Sequence, residues 1–560
     1  MHTGLTDKQR ENVLENTKNG KLHALLVSPE AIVSGDSSKG FGSILKQLPP
    51  IAFACIDEVH CISQWSHNFR PSYLMVNKVL REKFGIATVL GLTATATVST
   101  IRSITRELEI ESEKGVIKDI PIPDNILLSV SVDDDKDEAL IKLLTSEKFQ
   151  DFNSILIYCT RRDDCERLAT YIRTVMQNFF DCNETHKKKN RKLLWTAESY
   201  HAGMAGPRRK QVQKAFMNGN VRIVVATVAF GMGINKKDIR SVIHYNMPRD
   251  FESYVQEVGR AGRDGMFAHC HLFLDPNGKD VNELKRHINS NTIERHALRK
   301  LLERVFVKCD CPNVKNQNGC TTHESGFDVK KTVQALDTPE ENILTLLCYL
   351  ELDDRKFVKV LPPAYLNCKI KSYNGLNKVR TLAFKCPPLA YAFALDENQT
   401  KKKKCNYLDF NVIDVSNGIG WKSSIVKSQL KNLEWETDDG GTWKKTGISV
   451  EFSDLGFRVL TRGDMSPSEL DESLECLVKR VENQEKRSTE CLNLIYNVLE
   501  YYSHGNFEQV LNVGGVGGGG AGTTTTTTTI EKSKELKNEI RRYFETEKIS
   551  EEIPLKNFQV

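Results

Sequence analysis

Asp57 and Glu58 stand side by side at the end of an apolar run, IAFACIDE (51–58). At a strand tip, such an aspartate can hold Mg2+ through water, because that hard cation takes oxygen ligands. The neighbouring glutamate can orient or deprotonate an attacking water. Far downstream, QEVGRAGRDG (256–265) sets Gln256, Arg260 and Arg263 among glycines. Phosphoryl transfer builds negative charge on the γ-phosphate oxygens, which a positioned guanidinium stabilises. The glycines let backbone approach phosphate closely. Either segment alone has a plainer reading, a strand ending in a polar turn or two surface arginines. Both in one chain point to nucleotide hydrolysis. Directly after DEVH comes a stretch rich in rings and amides, with Gln64, Trp65, His67, Asn68, Phe69 and Arg70. Its aromatic faces suit stacking on bases, and its arginine suits a phosphate.

These groups need a scaffold, and the first half of the chain supplies an α/β pattern. Short β-branched runs recur at HALLVSPE (23–30), IAFACIDE (51–58), TVLGLTAT (88–95), SILIYCT (154–160), VRIVVAT (221–227), SVIHYN (241–246) and HCHLFL (269–274). Runs of this kind read as buried strands of parallel sheets. Between them, residues 163–176 place Cys165, Leu168, Ile172, Val175 and Met176 at helical spacing, the pattern of a crossover helix. The acidic VDDDKDEAL (132–140) is expected to separate two such sheets. The carboxylate pair and TAT (93–95) fall at strand ends, where ligands bind in these folds.

Composition bounds the answer. At 560 residues the chain exceeds one core. Its net charge of +5 does not by itself argue for a nucleic-acid partner. The basic runs 186–192 and 401–404 read first as solvated loops, and either suits nuclear import. No apolar run reaches the ~18 residues of a membrane span, and no membrane partner is expected. The fifteen cysteines, without a secretion signal at residue 1, read as reduced thiols and a metal site.

Taken in order, LLVSPE, DEVH, GLTATAT, SILIYCTRRDDCERLA, YHAGM, VVATVAFGMGIN and VIHYNMPRDFESYVQEVGRAGRDG resemble the RecQ family of superfamily-two DNA helicases over about residues 20–300. The resemblance implies two RecA-like lobes with ATP between them, and 3′-to-5′ movement on single-stranded and forked DNA. It makes Asp57 and Glu58 the Mg2+ and water-activating carboxylates and His60 the link between ATP and DNA sites. Thr93 and Thr95 would couple the lobes. Thr227, Gly231 and Gly233 would line the second lobe's nucleotide and DNA faces, with Asp238 and Gly259 among the nucleotide contacts. Gln256, Arg260 and Arg263 would face the phosphates, Arg263 as arginine finger. Most of the family carries aspartate where this chain has Asn68, a departure that resembles the type 4 branch.

The second half extends that resemblance. No CxxC occurs; instead Cys309-x-Cys311 and Cys320 follow the second lobe, and TVQALDTPEENILTLLCYLEL looks like the type 4 pattern. The resemblance implies a Zn2+ site, whose fourth ligand would be Cys368, with His323 as the alternative, because a structural zinc site takes four ligands. GWKSSIVKSQLKNL followed by TWKKTGISVEF reads as a winged-helix-like unit. The expected organisation is a first lobe (1–130), a second lobe (131–300), a zinc-binding and winged-helix-like domain (301–465), a helical tail (466–512), a low-complexity linker (513–530) and a C-terminal helical segment (531–560).

No G-x-x-x-x-G-K-[ST] occurs in the sequence. That loop supplies backbone N–H groups and a lysine to the phosphates. In the family it precedes SPE, so the chain is expected to begin downstream of it, with a first lobe short of its opening strands. Two functions compete: an ATP-dependent 3′-to-5′ DNA helicase, and an ATPase-deficient DNA-binding scaffold.

Overall fold

The computed structural model describes residues 7–33, 50–63, 70–110, 113–119, 121–181, 196–231, 234–290, 292–308, 322–353, 355–373, 375–399, 407–437, 443–511 and 523–554. Gln64, Trp65, His67, Asn68, Phe69, Gly233, Cys309, Cys311, Cys320 and both basic runs lie outside them. The chain divides into two compact units.

One unit gathers 56–69, 91–292 and 484–560 around a six-stranded parallel sheet. Its strands are β3 (Ile126–Val132), β4 (Ile155–Tyr158), β5 (Ala197–Tyr200), β6 (Ile223–Ala226), β7 (Ser241–His244) and β8 (Ala268–Leu274), in the order β3-β8-β7-β4-β6-β5. Alternation builds the two faces, since successive side chains on a strand point opposite ways. Ile155, Ile157, Ile223, Val225, Ile243 and Phe273 pack with Leu140, Leu143, Cys165, Leu168 and Ile172 on one side. Leu156, Tyr158, Val224, Ala226, Val242 and Leu272 pack with Phe216, Phe251, Leu492, Ile495, Leu536 and Ile540 on the other. This is the doubly covered α/β lobe that the apolar runs predict. Helix Arg162–Asp181 is the expected crossover.

Three expectations change. VDDDKDEAL does not separate two sheets: Val132 ends β3, and Asp135 caps helix Lys136–Thr145 by accepting the N–H groups of Asp137 and Glu138. Its acidity is helix-start chemistry. HALLVSPE yields no strand but ends in helix Pro29–Val33, with proline at the first helical position, where its missing N–H costs nothing. The threonine run lies within helix Thr523–Thr546, although the sequence reads as linker to residue 530.

Residues from far downstream close the lobe's edge. The N–H of Val132 donates to the carbonyl of His504 at 3.0 Å, and the His504 N–H donates to Val130 at 2.8 Å. Leu128 N–H finds the Ser533 hydroxyl at 2.9 Å. Edge strand β3 therefore does not leave those groups open for pairing.

Beneath that edge runs a one-way chain of buried hydrogen bonds. Ser131 donates to Asp133 at 2.5 Å, so it accepts from His271 Nε2 at 3.0 Å. His271 Nδ1 then accepts from Ser129 at 2.8 Å, and Ser129 accepts from His269 Nε2 at 2.7 Å. Burial pulls His269 down to about 3 and holds His271 well below its ordinary value. The unfolded histidines protonate near pH 6.5, while the folded ones stay neutral. The unfolded state therefore binds more protons between those limits, and stability falls as pH drops. The difference in melting temperature between the parent and His269→Gln, taken from pH 7.5 to 5, should be constant above about 6.5 and narrow below it, by up to about 1.4 kcal/mol per pH unit. A constant difference throughout would show that this imidazole protonates within the fold.

The other unit comprises 1–55, 70–90 and 293–483. Its antiparallel sheet has the order β11-β10-β14-β9, from β9 (His323–Asp328), β10 (Val358–Ser372), β11 (Tyr407–Asn411) and β14 (Ile448–Thr461). Helices Val412–Ile419 and Ser423–Asn432 precede a hairpin of β12 (Trp435–Thr437) and β13 (Trp443–Lys445). Among the described residues no helix is long and apolar enough to cross a membrane.

Candidate active site

The strand Ala54–Ile56 (β1) delivers the acidic pair, and Val89–Gly91 (β2) beside it delivers TAT. The chain turns sharply at Glu58, whose φ of 51° is left-handed. A non-glycine residue there carries strain that surrounding structure has to hold. It is held by the Asp57 carboxylate, which accepts the Glu58 N–H at 3.0 Å, and by the Val59 N–H bond to Leu92 at 2.8 Å. His60 is buried and meets the Thr93 hydroxyl at 2.9 Å and the Glu58 carboxylate at 3.4 Å. Thr93 in turn bonds the Thr95 carbonyl at 3.0 Å. The acidic turn and TAT are thus one hydrogen-bonded unit.

Within the parallel-sheet unit, a cleft of about 470 Å³ is lined by Glu58, Thr95, Gly231, Gln256, Gly259, Arg260 and Arg263, together with Pro121, Pro123 and Asn235. Seven residues expected from sequence thus share one surface. The loop after β6 brings Gly231, and helix Phe251–Val258, capped by Asp250 on Ser253 N–H at 2.7 Å, brings Gln256. Arg260 and Arg263 follow that helix in the turn leading to β8. β7 ends at His244, and Asp250 starts a helix before the glycines are reached.

Backbone oxygens aim both arginines. Arg260 donates to the Gly231 carbonyl. Arg263 donates to Ile234 at 3.0 Å and to Gly259 at 3.3 Å. Among the described residues neither forms an ion pair with a carboxylate. Burial, and after it the charge of Arg260, lowers the Arg263 guanidinium from its ordinary value. Two adjacent cations on the cleft wall favour an anion there, with Glu58 as the acidic group in the same lining.

Behind the cleft lies a layer that motif reading missed. The Tyr158 hydroxyl donates to the Phe230 carbonyl at 2.8 Å and fixes the turn before Gly231. Tyr158 stacks on His244 with centroids 5.6 Å apart, and His244 Nε2 meets Glu257 at 2.7 Å. Glu257 adjoins Gln256 in sequence and points to the core. The signal for it is helical register, since adjacent helix positions face different ways.

Other expected residues sit elsewhere. Asp57 is exposed beside the cleft. Thr227 is buried at the end of β6, its N–H on Tyr200. Asp238 pairs with Lys236 at 3.0 Å and does not line the cleft. Arg70 belongs to the other unit, before helix Pro71–Lys78. Cys368 is fully buried in an apolar cluster with Ile370, Leu408 and Phe410, and burial pushes its thiol up to about 12. Its partner on β14 is Phe452, whereas His323 faces Thr461. That separation is roughly 30 Å along a strand, so the two cannot share one ion. Among the described residues no three His, Cys, Asp or Glu gather to hold a metal. Cys368 packs in that cluster, and its expected co-ligands Cys309, Cys311 and Cys320 lie outside the described residues.

The doubly wound lobe thus carries paired arginines and an acidic turn on one cleft. Residues 135–265 match the helicase conserved C-terminal domain family. The chain is 39% identical to the ATP-dependent DNA helicase Q4 of Homo sapiens over 98% of its own length and 46% of that protein. It is 43% identical to the Q4 helicase of Mus musculus over 87% of its length and 42% of that protein. It is 36% identical to the ATP-dependent DNA helicase RecQ of Pasteurella multocida over 49% and 39%. These matches relate the chain to the RecQ helicases. It spans less than half the length of the two Q4 relatives.

Proposed function

We propose that this chain carries the water-activating and phosphate-sensing parts of an ATP-driven 3′-to-5′ DNA helicase that acts on single-stranded and forked DNA. The observation that carries this reading is the convergence of Glu58, Gln256, Arg260 and Arg263 on one cleft. Glu58 orients the attacking water, and the two arginines stabilise charge on the γ-phosphate. Asp57, with an exposed carboxylate, suits a hydrated Mg2+. His60 and Thr93 connect the acidic turn to TAT, so a change at one reaches the other. The hairpin β12–β13, with Lys445 over the Trp435 ring, suits duplex contact. Zinc rests on the spacing of Cys309, Cys311 and Cys320, and metal analysis after gentle purification checks it. The basic runs support a nuclear location.

The absence of G-x-x-x-x-G-K-[ST] from the sequence favours a second reading, a DNA-binding scaffold without turnover. One set of measurements on the 560-residue polypeptide separates them. On the motor reading a fluorescent ATP analogue binds and is lost with Arg260→Ala. DNA binds with an affinity that falls with salt, because phosphate contacts release counterions. DNA-stimulated phosphate release stays low, for want of the phosphate loop. DNA binding with no nucleotide binding establishes the scaffold. Robust hydrolysis abolished by Glu58→Gln overturns the need for that loop.

A further inference from the structure

The cleft wall that contains Thr95 is held by residues from the far end of the chain. Helix Val98–Glu107 starts after Thr97, whose own side chain makes no capping bond. The cap comes instead from Glu547. Its Oε1 accepts the Ser99 N–H at 3.1 Å and the Ser99 hydroxyl at 2.5 Å. Arg487, from helix Pro467–Tyr501, donates to the same hydroxyl at 2.7 Å and to Glu547 at 3.2 Å. Glu547 has a φ of 57°, a left-handed backbone that tertiary contacts sustain.

The same charges reach the opposite wall. Glu252 is buried in the first turn of helix Phe251–Val258, which carries Gln256. Burial, with the charge of Asp250 adding to it, pushes the Glu252 carboxyl up to about 8, and Arg487 opposes that rise. Tyr543, one turn before Glu547, packs on Phe251 of this helix with ring centroids 4.8 Å apart. The geometric link to this helix is therefore the Tyr543–Phe251 contact, while Arg487 binds Glu547 on the TAT side and its charge also acts on Glu252.

We propose that Glu547 and Arg487 are positioning residues: through them the C-terminal helices clamp the Thr95–Ser99 wall to the helix bearing Gln256 and set the width of the phosphate site. The proposal rests on the nucleotide reading of the cleft. Neither residue lines the cleft, so the effect passes through Ser99 and Glu252.

Hydrogen exchange and fluorescent-ADP binding on the full chain test it, with Glu547→Ala, Glu547→Gln and, as control, the exposed Glu545→Ala. Loss of the cap in Glu547→Ala should speed exchange at 98–101 about fivefold to tenfold. The clamp adds that exchange also rises at 93–96 and 256–260, and that ADP binds several-fold more weakly. Glu547→Gln keeps an acceptor for Ser99 but no charge for Arg487. It should protect 98–101 nearly as well as glutamate while still loosening 256–260. A purely structural cap would not separate the two segments in this way. Glu545→Ala should behave as the parent. Change confined to 98–101 in both Glu547 variants overturns the clamp, as does unaltered exchange. If the parent itself binds no ADP, the nucleotide reading fails, and exchange at 256–260 alone decides the clamp. If the alanine variant does not fold, the glutamine variant decides it.

Discussion

Arg458→Ala is expected to cost the antiparallel unit about 3–5 kcal/mol, the range for removing one partner of a buried ion pair. Arg458 Nε donates to Glu324 Oε1 at 2.6 Å, Nη2 to Ser423 at 3.0 Å and Nη1 to the Pro362 carbonyl at 3.2 Å. Ser423 also donates to Glu324 at 3.1 Å, and Arg458, Glu324 and Ser423 are all buried. One guanidinium thus joins β9, β10, β14 and helix Ser423–Asn432. Alanine leaves the Glu324 carboxylate buried and uncompensated, and it keeps the full desolvation penalty. The double variant Glu324→Leu with Arg458→Met removes both charges at similar volume and should recover most of the loss. Urea unfolding followed by tryptophan fluorescence reads this unit well, since Trp421, Trp435 and Trp443 all belong to it. A midpoint unchanged by Arg458→Ala would show that the pair contributes nothing beyond what water supplies.

Gly231→Ala should disable the anion site without touching a charged residue. A Cβ at 231 would stand 2.6 Å from Arg260 Nη2 and 2.9 Å from Cζ. The buried Arg260 side chain is hydrogen-bonded to the Gly231 carbonyl, so it has little room to retreat. The methyl therefore expels the guanidinium or opens the turn that Tyr158 fixes. Hydrogen bonds to charged groups contribute about 1.5–3 kcal/mol each, so nucleotide affinity should fall about tenfold to a hundredfold. Arg260→Lys, which keeps the charge but not the planar fork, should lose less. The measurement is titration with a fluorescent nucleotide, with melting temperature alongside. Parental affinity in Gly231→Ala would remove Arg260 from the phosphate site.

Much of the lobe was legible because a parallel sheet covered on both faces demands continuous apolar runs, and β4, β6, β7 and β8 have them. β5 was missed: Ala197–Tyr200 reads AESY, with a charged Glu198, and looks like loop until Val224 and Val225 pair with it. β3 was missed because the acidic residues after it resemble a linker when their capping role is unseen. Within the site, sequence order named the cleft residues because their chemistry is local to short motifs. Asp238, expected among the nucleotide contacts, pairs with Lys236 outside the cleft lining. Sequence order gave no sign of Tyr158, His244 or Glu257, which act only through tertiary contact. Nor can spacing show that Glu547 meets Ser99, separated by 448 positions.

The closed edge of β3 has a consequence for biosynthesis. Leu128 and its hydrogen-bond partner Ser533 are 405 positions apart. At roughly 5–20 residues per second of synthesis, the strand emerges some 20–80 s before the hydroxyl that satisfies it. Throughout that interval the nascent chain presents β3 with open backbone groups beside an apolar face. The ribosome thus makes first a surface that only a helix some 400 residues later can complete. A premature stop anywhere before that helix leaves a sticky ribbon, and its expected fate is chaperone capture or aggregation rather than a shorter working lobe.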